Sequence, residues 1–190
     1  MLENNIEREL KSAINQNDYD KLIDKYHLND QLFEQINYYF DDDKKTLSKN
    51  KTVLRIRQKN EQYKLTLKSK YQDFGNLEQS IILTNDQAKD CLINGFNLKS
   101  FGYDFDIDVE NIAILKTIRT SFVYQEGKIF IDKNIYYGNI DYEIEYEIND
   151  TVSIEKGTNY FVNFLNENNI QFKKQVSKAK RAIKTAHKYI

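Results

Sequence analysis

The chain has 190 residues, 40% of them hydrophobic and 30% charged, and its 28 basic and 29 acidic side chains leave a net charge of -1. That length suits one domain with a substantial core, and so even a charge balance sets up no global field favouring nucleic acid or a membrane surface. One cysteine excludes an internal disulfide, and with only two histidines beside it a zinc site is not expected, so any metal would be held by carboxylates and water, as suits Mg²⁺, Mn²⁺ or Ca²⁺.

The polar opening MLENNIEREL is unlike a signal peptide, and no uncharged run approaches the length of a bilayer span. A soluble, cytoplasmic protein is therefore expected. Neither GxGxxG nor GxxxxGK occurs, so phosphate binding would rest on side chains.

In chain order, NIERELK (5–11) alternates, with Glu7, Glu9 and Lys11 on one face and Ile6, Arg8 and Leu10 on the other. NDYDKLIDKY (17–26) has helical spacing at Tyr19, Leu22, Ile23 and Tyr26, with Asn17 as its cap. QINYYFD (35–41) is an aromatic strand whose Tyr38, Tyr39 and Phe40 are expected to be packing groups. VLRIRQK (53–59) sets Arg55, Arg57 and Lys59 against Leu54 and Ile56. After a turn at Asn60 and Glu61, YKLTLK (63–68) sets Lys64, Thr66 and Lys68 against Leu65 and Leu67.

LEQSIIL (77–83) has strand composition. TNDQAKDCLING (84–95) opens with Thr84 and Gln87 at capping-box spacing and stops at Gly95, with Cys91 as a small core hydrophobe. Residues 106–113 are expected to form a short helix. LKTIRTSFVYQ (115–125) and KIFIDK (128–133) are strands joined by a turn at Glu126-Gly127. DYEIEYE (141–147) places acids at 141, 143, 145 and 147 and Tyr142, Ile144 and Tyr146 opposite them. TNYFVNFLNENN (158–169) carries Tyr160, Phe161, Phe164 and Leu165 on one stripe, and SKAKRAIKTAHKYI (177–190) is a basic helix. The two histidines, His27 and His187, read as surface residues. The sum is one α+β domain, 1–190, of roughly eight strands with several helices.

The strands differ from ordinary solvated ones in a shared respect. Some carry only acids on the polar face (Glu143, Glu145, Glu147) and others only bases (Arg55, Arg57, Lys59; Lys64, Lys68). Solvated faces usually mix signs, because like charges on one face repel. A sheet that closes with its charged faces inward would explain the segregation, bases holding a polyanion and acids holding divalent cations.

These residues also match a known pattern. ERELK resembles the ExExK signature of the CYTH superfamily, the triphosphate tunnel metalloenzymes, and NYYFD, LRIR, LTLK, Arg119, IDKNIYYGNIDYEIEYE and SKAKR follow in that family's order. The chain is most similar to bacterial members often labelled adenylate cyclase, relatives of thiamine triphosphatase. The resemblance implies an eight-stranded antiparallel closed β-barrel, a tunnel with a charged lumen and helices outside. It implies metal-binding acids at Glu7, Glu9, Glu143 and Glu145, with Glu143, Glu145 and Asp132 serving catalysis. It implies that Lys11, Arg55, Arg57, Lys68 and Arg119 grip triphosphate, closed over by Lys178 and Arg181 of the C-terminal helix. Glu78, Lys64, Lys59 and Glu147 match less closely and could face either lumen or solvent.

The expected activity is hydrolysis of a triphosphate compound (inorganic triphosphate, thiamine triphosphate or a nucleoside triphosphate) with Mg²⁺ or Mn²⁺. A class IV-type adenylate cyclase and a non-catalytic polyphosphate or nucleotide sensor are the alternatives. The signature does not separate cyclisation from hydrolysis. Hydrolysis needs only a positioned water, whereas cyclisation also needs a nucleobase pocket, for which no residues stand out. Neither nucleic acid, despite Lys184 and Lys188, nor a membrane is an expected partner, and the protein is expected to be a monomer or a homodimer.

Overall fold

The computed structural model describes residues 2–71 and 75–187, which places Lys188 outside the described residues. In chain order the elements are β1 (Glu3–Glu7), β2 (Glu9–Ile14), α1 (Gln16–Lys25), β3 (Phe33–Asp41), α2 (Thr46–Lys49), β4 (Val53–Lys59), β5 (Gln62–Tyr71) and β6 (Gly75–Leu83). They continue with α3 (Asn85–Asn94), β7 (Phe96–Asn97), β8 (Asp108–Tyr124), β9 (Gly127–Tyr136), β10 (Asn139–Ile148), α4 (Ile154–Glu167) and α5 (Lys178–Ala186). The fold is α+β. Its strands are hydrogen-bonded in the order β1-β6-β5-β4-β3-β8-β9-β10-β2, with β7 beside β8, and the pairings with a described register are antiparallel.

The chain forms two compact units, each with its own apolar cluster. One comprises Glu7–Glu34 and Thr117–Ser177 and contains β2, the second half of β8, β9, β10, α1 and α4. Here the strand alternation expected of DYEIEYE is realised: Tyr142, Ile144, Tyr146 and Ile148 are buried against Tyr19, Leu22 and Ile23 of α1 and Phe161, Phe164 and Leu165 of α4. Each such side chain contributes about 1.5–3 kcal/mol by leaving water, and the stacked rings of Tyr146 and Phe161 add aromatic contact. The helices cover one face of the strands and leave the acid-bearing face to point the other way.

The other unit comprises the residues up to Ile6, Gln35–Lys116 and those from Lys178. Leu54, Ile56, Leu65 and Leu67 of β4 and β5 pack with Phe40, Leu83, Ala88 and Cys91, and the bases of β4 and β5 alternate with them onto the opposite face.

Several local expectations are corrected. Residues 106–113 do not form a helix, because β8 begins at Asp108 and buries Val109, Ala113 and Leu115 with strand periodicity. α1 is capped by Asn15, whose side chain accepts from the Asp18 N–H, and not by Asn17. α4 starts at Ile154 on a Ser153 cap, earlier than the aromatic stripe alone indicates. The β8–β9 turn is Gln125-Glu126, one residue before the expected one, with Gln125 at φ 51°. Gly127 is needed for a different reason, since a Cβ there would lie 2.5 Å from the Glu147 carbonyl and from the Tyr146 ring.

Arg8 is half-buried and makes long-range hydrogen bonds. It separates β1 from β2 and donates to the carbonyls of Val152, at 2.8 Å, and Asn149, pinning the turn after β10. Other expectations hold. Thr84 and Gln87 form the capping box of α3, Cys91 is buried, and His27 and His187 are exposed.

Candidate active site: an acidic strand group and a basic strand group

The acidic group lies on β8, β9 and β10. Glu143 stands directly opposite Asp132 in the β9–β10 register, and Glu145 lies two residues further along the same face. Carboxylate oxygens of Asp132, Glu143 and Glu145 come within 4.8 Å of one another, and all three residues are buried. Two like charges about 4 Å apart repel by roughly 4 kcal/mol at an effective dielectric of about 20, so this grouping demands a counter-charge.

Arg119 on β8 supplies one. It donates from Nε and Nη2 to the two oxygens of Asp132 (2.7 and 2.6 Å) and from Nη2 to Glu145 (2.5 Å), and it lies over the Phe130 ring at 4.4 Å. Burial alone would lower the Arg119 pKa, but the neighbouring Asp132 and Glu145 outweigh it and raise it above the usual value. Lys11, opposite Glu145 in the β2–β10 register, is the second cation, 2.8 Å from Glu9 and 3.8 Å from Glu145. Around the rim, Glu147 faces Glu9 across β2 and β10. Behind the acids a buried polar chain runs from Thr117 Oγ1 to Asn134 (2.9 Å), from Asn134 Nδ2 to Asp141 (3.0 Å) and from the Tyr136 hydroxyl to Asp141 (2.6 Å).

The donor set fits a hard divalent cation. It offers oxygen ligands only, buried and clustered, with acids that outnumber the guanidinium set among them. The expected metal acids are only partly gathered. Glu143 and Glu145 are in the described cluster together with Asp132, whereas Glu7 and Glu9, both half-buried, are not among its members.

The basic group lies on β3–β6 and α5. Arg55 and Arg57 of β4 stand opposite Thr66 and Lys64 of β5, and Lys68 stands opposite Glu78 of β6. Glu78 accepts from Arg55 at 3.3 Å and lies 3.6 Å from Lys68, which draws it into this group as a counter-ion between two bases. Lys64 is half-buried on the same face, while Lys59 is exposed at the strand end.

Tyr39 is packed as expected, but on the opposite face from its neighbours. Tyr38 and Phe40 pack into the apolar cluster, but Tyr39 projects to the other face, opposite Arg55, and is only 2% exposed. Burial raises its pKa, and nearby Arg55, Arg57, Lys178 and Arg181 oppose that rise. Lys178 and Arg181, one helical turn apart on α5, thus share an electrostatic neighbourhood with Arg55 and Arg57 of β4 around Tyr39. Sequence reasoning placed Thr66 on this face but missed its other neutral members, Gln35, Asn37 and Ser80, all of them buried. The available signal was phase: Asn37 stands between Ile36 and Tyr38 as Arg55 stands between Leu54 and Ile56.

The CYTH domain model matches residues 5–183. The chain belongs to the CYTH family. A Bacillus subtilis (strain 168) protein named "Putative triphosphatase YjbK" is 32% identical over 151 residues, covering 76% of this chain and 78% of that protein. The structure of a Bacillus halodurans protein described as a "putative adenylate cyclase" superposes with a TM-score of 0.80 at 28% identity, covering 94% of this chain and 97% of that one. HpAC1 of Hippeastrum, an adenylyl cyclase candidate described as having a dominant triphosphatase activity, has a TM-score of 0.72 at 18% identity, covering 95% of each chain. At that identity HpAC1 shares the CYTH fold, and its activity is stated of HpAC1. Among the described residues of this CYTH protein, no helix is long and apolar enough to cross a membrane.

Proposed function

We propose that this CYTH protein is a divalent-metal-dependent hydrolase of triphosphate compounds. The observation that carries this reading is the buried trio of Asp132, Glu143 and Glu145. A simple anion binder gains nothing from clustered carboxylates that repel its ligand. The triphosphatase name of the 32% identical Bacillus subtilis relative supports the same assignment.

The tunnel form is part of the proposal, with the whole chain acting as one CYTH domain. It is supported by chain order: the hydrogen-bonded path starts at β1 and ends at β2, which are successive pieces of one segment interrupted only by Arg8. Counted as one strand, they leave eight in a cyclic order, matching the closed eight-stranded barrel that the family resemblance implies.

In this reading Asp132, Glu143 and Glu145, joined by Glu7 and Glu9, would hold Mg²⁺ or Mn²⁺. The ion, when bound, supplies Lewis-acid polarisation of phosphate oxygens. Arg55, Arg57 and Lys68 bind the phosphate chain, guanidinium groups gripping two oxygens at once. Lys178 and Arg181 close on it from α5, and Lys11 and Arg119 complete the neutralisation of its charge. Glu145 and Glu143 orient the attacking water by accepting its hydrogens, and Asp132 holds Arg119 in place.

Mixing the purified protein with tripolyphosphate and Mg²⁺ or Mn²⁺ should release orthophosphate. No release from tripolyphosphate, thiamine triphosphate or ATP would overturn the hydrolase assignment and leave the sensor reading. The cyclase reading follows from the name of the Bacillus halodurans relative. It predicts cyclic AMP from ATP, which the same incubation would reveal.

A further inference from the structure

The face that carries the β4 bases also carries a row of neutral groups on the neighbouring strand. Tyr39, Asn37 and Gln35 of β3 stand directly opposite Arg55, Arg57 and Lys59 in the β3–β4 register. Asn37 is fully buried and Gln35 is 3% exposed, so neither amide is a solvated surface group.

Asn37 Oδ1 accepts from Arg57 Nε at 2.9 Å. That bond uses the amide's acceptor and fixes the plane of the guanidinium about its Nε edge. The amide nitrogen of Asn37, the amide nitrogen of Gln35 and Nε of Arg55 are all buried without a protein hydrogen-bond partner. A buried N–H donor left without an acceptor is costly, and proteins seldom tolerate several on one face unless an acceptor comes to them. An acceptor that satisfies donors beside arginines is an anion rich in oxygen atoms. Phosphate oxygens meet that description, each offering several lone pairs and tolerating neutral and charged donors together.

We propose that Asn37 is a positioning residue for Arg57, and that Asn37 and Gln35 form an amide subsite donating hydrogen bonds to phosphate oxygens of the bound triphosphate. This rests on the triphosphate reading and extends it, because the amides add binding that does not depend on charge. Arginine and lysine attract any polyanion from a distance. A neutral amide contributes only where an oxygen sits within hydrogen-bond reach, so it selects for the placement of the phosphate chain and not for its charge.

The test measures tripolyphosphate affinity by calorimetry at several salt concentrations, for the wild type and for Gln35→Met, Asn37→Leu, Arg57→Ala and the Asn37→Leu/Arg57→Ala pair. Gln35→Met keeps the shape of the side chain and removes the donor. It should weaken binding about fivefold to tenfold while leaving the slope of affinity against salt unchanged. Asn37→Leu should cost at least as much alone and much less in the Arg57→Ala background, since its positioning role vanishes with the group it positions. Wild-type binding with no loss on Gln35→Met would overturn the amide subsite. Strict additivity of Asn37→Leu and Arg57→Ala would overturn the positioning role. Circular dichroism checks folding, and Gln35→Met still decides the subsite if Asn37→Leu does not fold. A wild type that fails to bind tripolyphosphate would instead overturn the triphosphate reading itself.

Discussion

Arg119 and Asp132 form a two-pronged ion pair, Nε and Nη2 donating to separate carboxylate oxygens at 2.7 and 2.6 Å, with both side chains almost wholly out of water. Removing one partner of a buried pair strands the other without compensation, typically at a cost of about 3–5 kcal/mol. Arg119→Ala should therefore lower stability in metal-free buffer by about that amount, measured by urea unfolding. Because the same substitution leaves the carboxylates facing each other, Mg²⁺ or Mn²⁺ should recover part of the loss. An Arg119→Ala protein as stable as the wild type would show that the pair does not govern this face.

The acids and bases should separate kinetically. Glu145→Gln keeps the size of the side chain and removes a charge that repels phosphate, so turnover should fall steeply while tripolyphosphate binding is kept or tightened. Arg57→Ala should mainly weaken binding, by about tenfold or more. Steady-state phosphate release and calorimetry distinguish the two, and equal effects of both variants on both quantities would contradict the assigned roles. Chelation with EDTA should abolish turnover, with Mg²⁺ or Mn²⁺ restoring it.

Ligand binding should be visible in the melting temperature. At about a hundredfold excess over Kd a ligand bound only by the native state adds roughly 2.7 kcal/mol, which is a few degrees for a chain of this size. Tripolyphosphate should raise Tm more than orthophosphate does, because one phosphate cannot engage all the bases. The shift should shrink in Arg55→Ala and persist in Lys89→Ala, an exposed lysine of α3. A Tm indifferent to millimolar tripolyphosphate would mean that the charged faces do not bind it.

Alkaline pH should probe the apolar cluster around α1. Burial, aided by Asp132, pushes the Tyr19 hydroxyl up to about 12. A group whose folded pKa exceeds its unfolded value near 10 stabilises the fold fully below pH 10, and that contribution is lost as pH rises towards 12. Tyr19→Phe should accordingly flatten the fall in stability between pH 10 and pH 12, followed by urea midpoints. An unchanged slope would remove Tyr19 from the account.

Much of this arrangement is legible in residue order, and the remainder is not for identifiable reasons. DYEIEYE can be read as a two-faced strand because its period of two runs without interruption and both faces are strongly marked. Arg55 and Arg57 are legible for the same reason. Residues 108–113 mislead because acids at 106, 108 and 110 beside Asn111 suit a short helix as well as a strand, and the long β8 is fixed by its partners more than by propensity. Arg8 is beyond sequence reasoning because its acceptors, Asn149 and Val152, lie more than 140 positions away. Asn37 and Gln35 escape notice because amides signal nothing alone. Their meaning comes from register, which aligns them with Arg57 and Lys59.

β8 is 17 residues long and passes from one compact unit into the other between Lys116 and Thr117. In its second half Thr117 and Arg119 share one parity, while Phe122 and Tyr124 take the other and pack against the apolar cluster, so one alternation sets which side chains point where. The strand behaves as a reading frame. Adding or deleting a single residue near Leu115 would turn Ile118 and Thr120 towards Asp132 and send Arg119 to the opposite face, without altering any residue of the site itself. Length changes in β8 that preserve function should therefore come in steps of two, a parity rule that natural variants and a two-residue insertion series can both be held to.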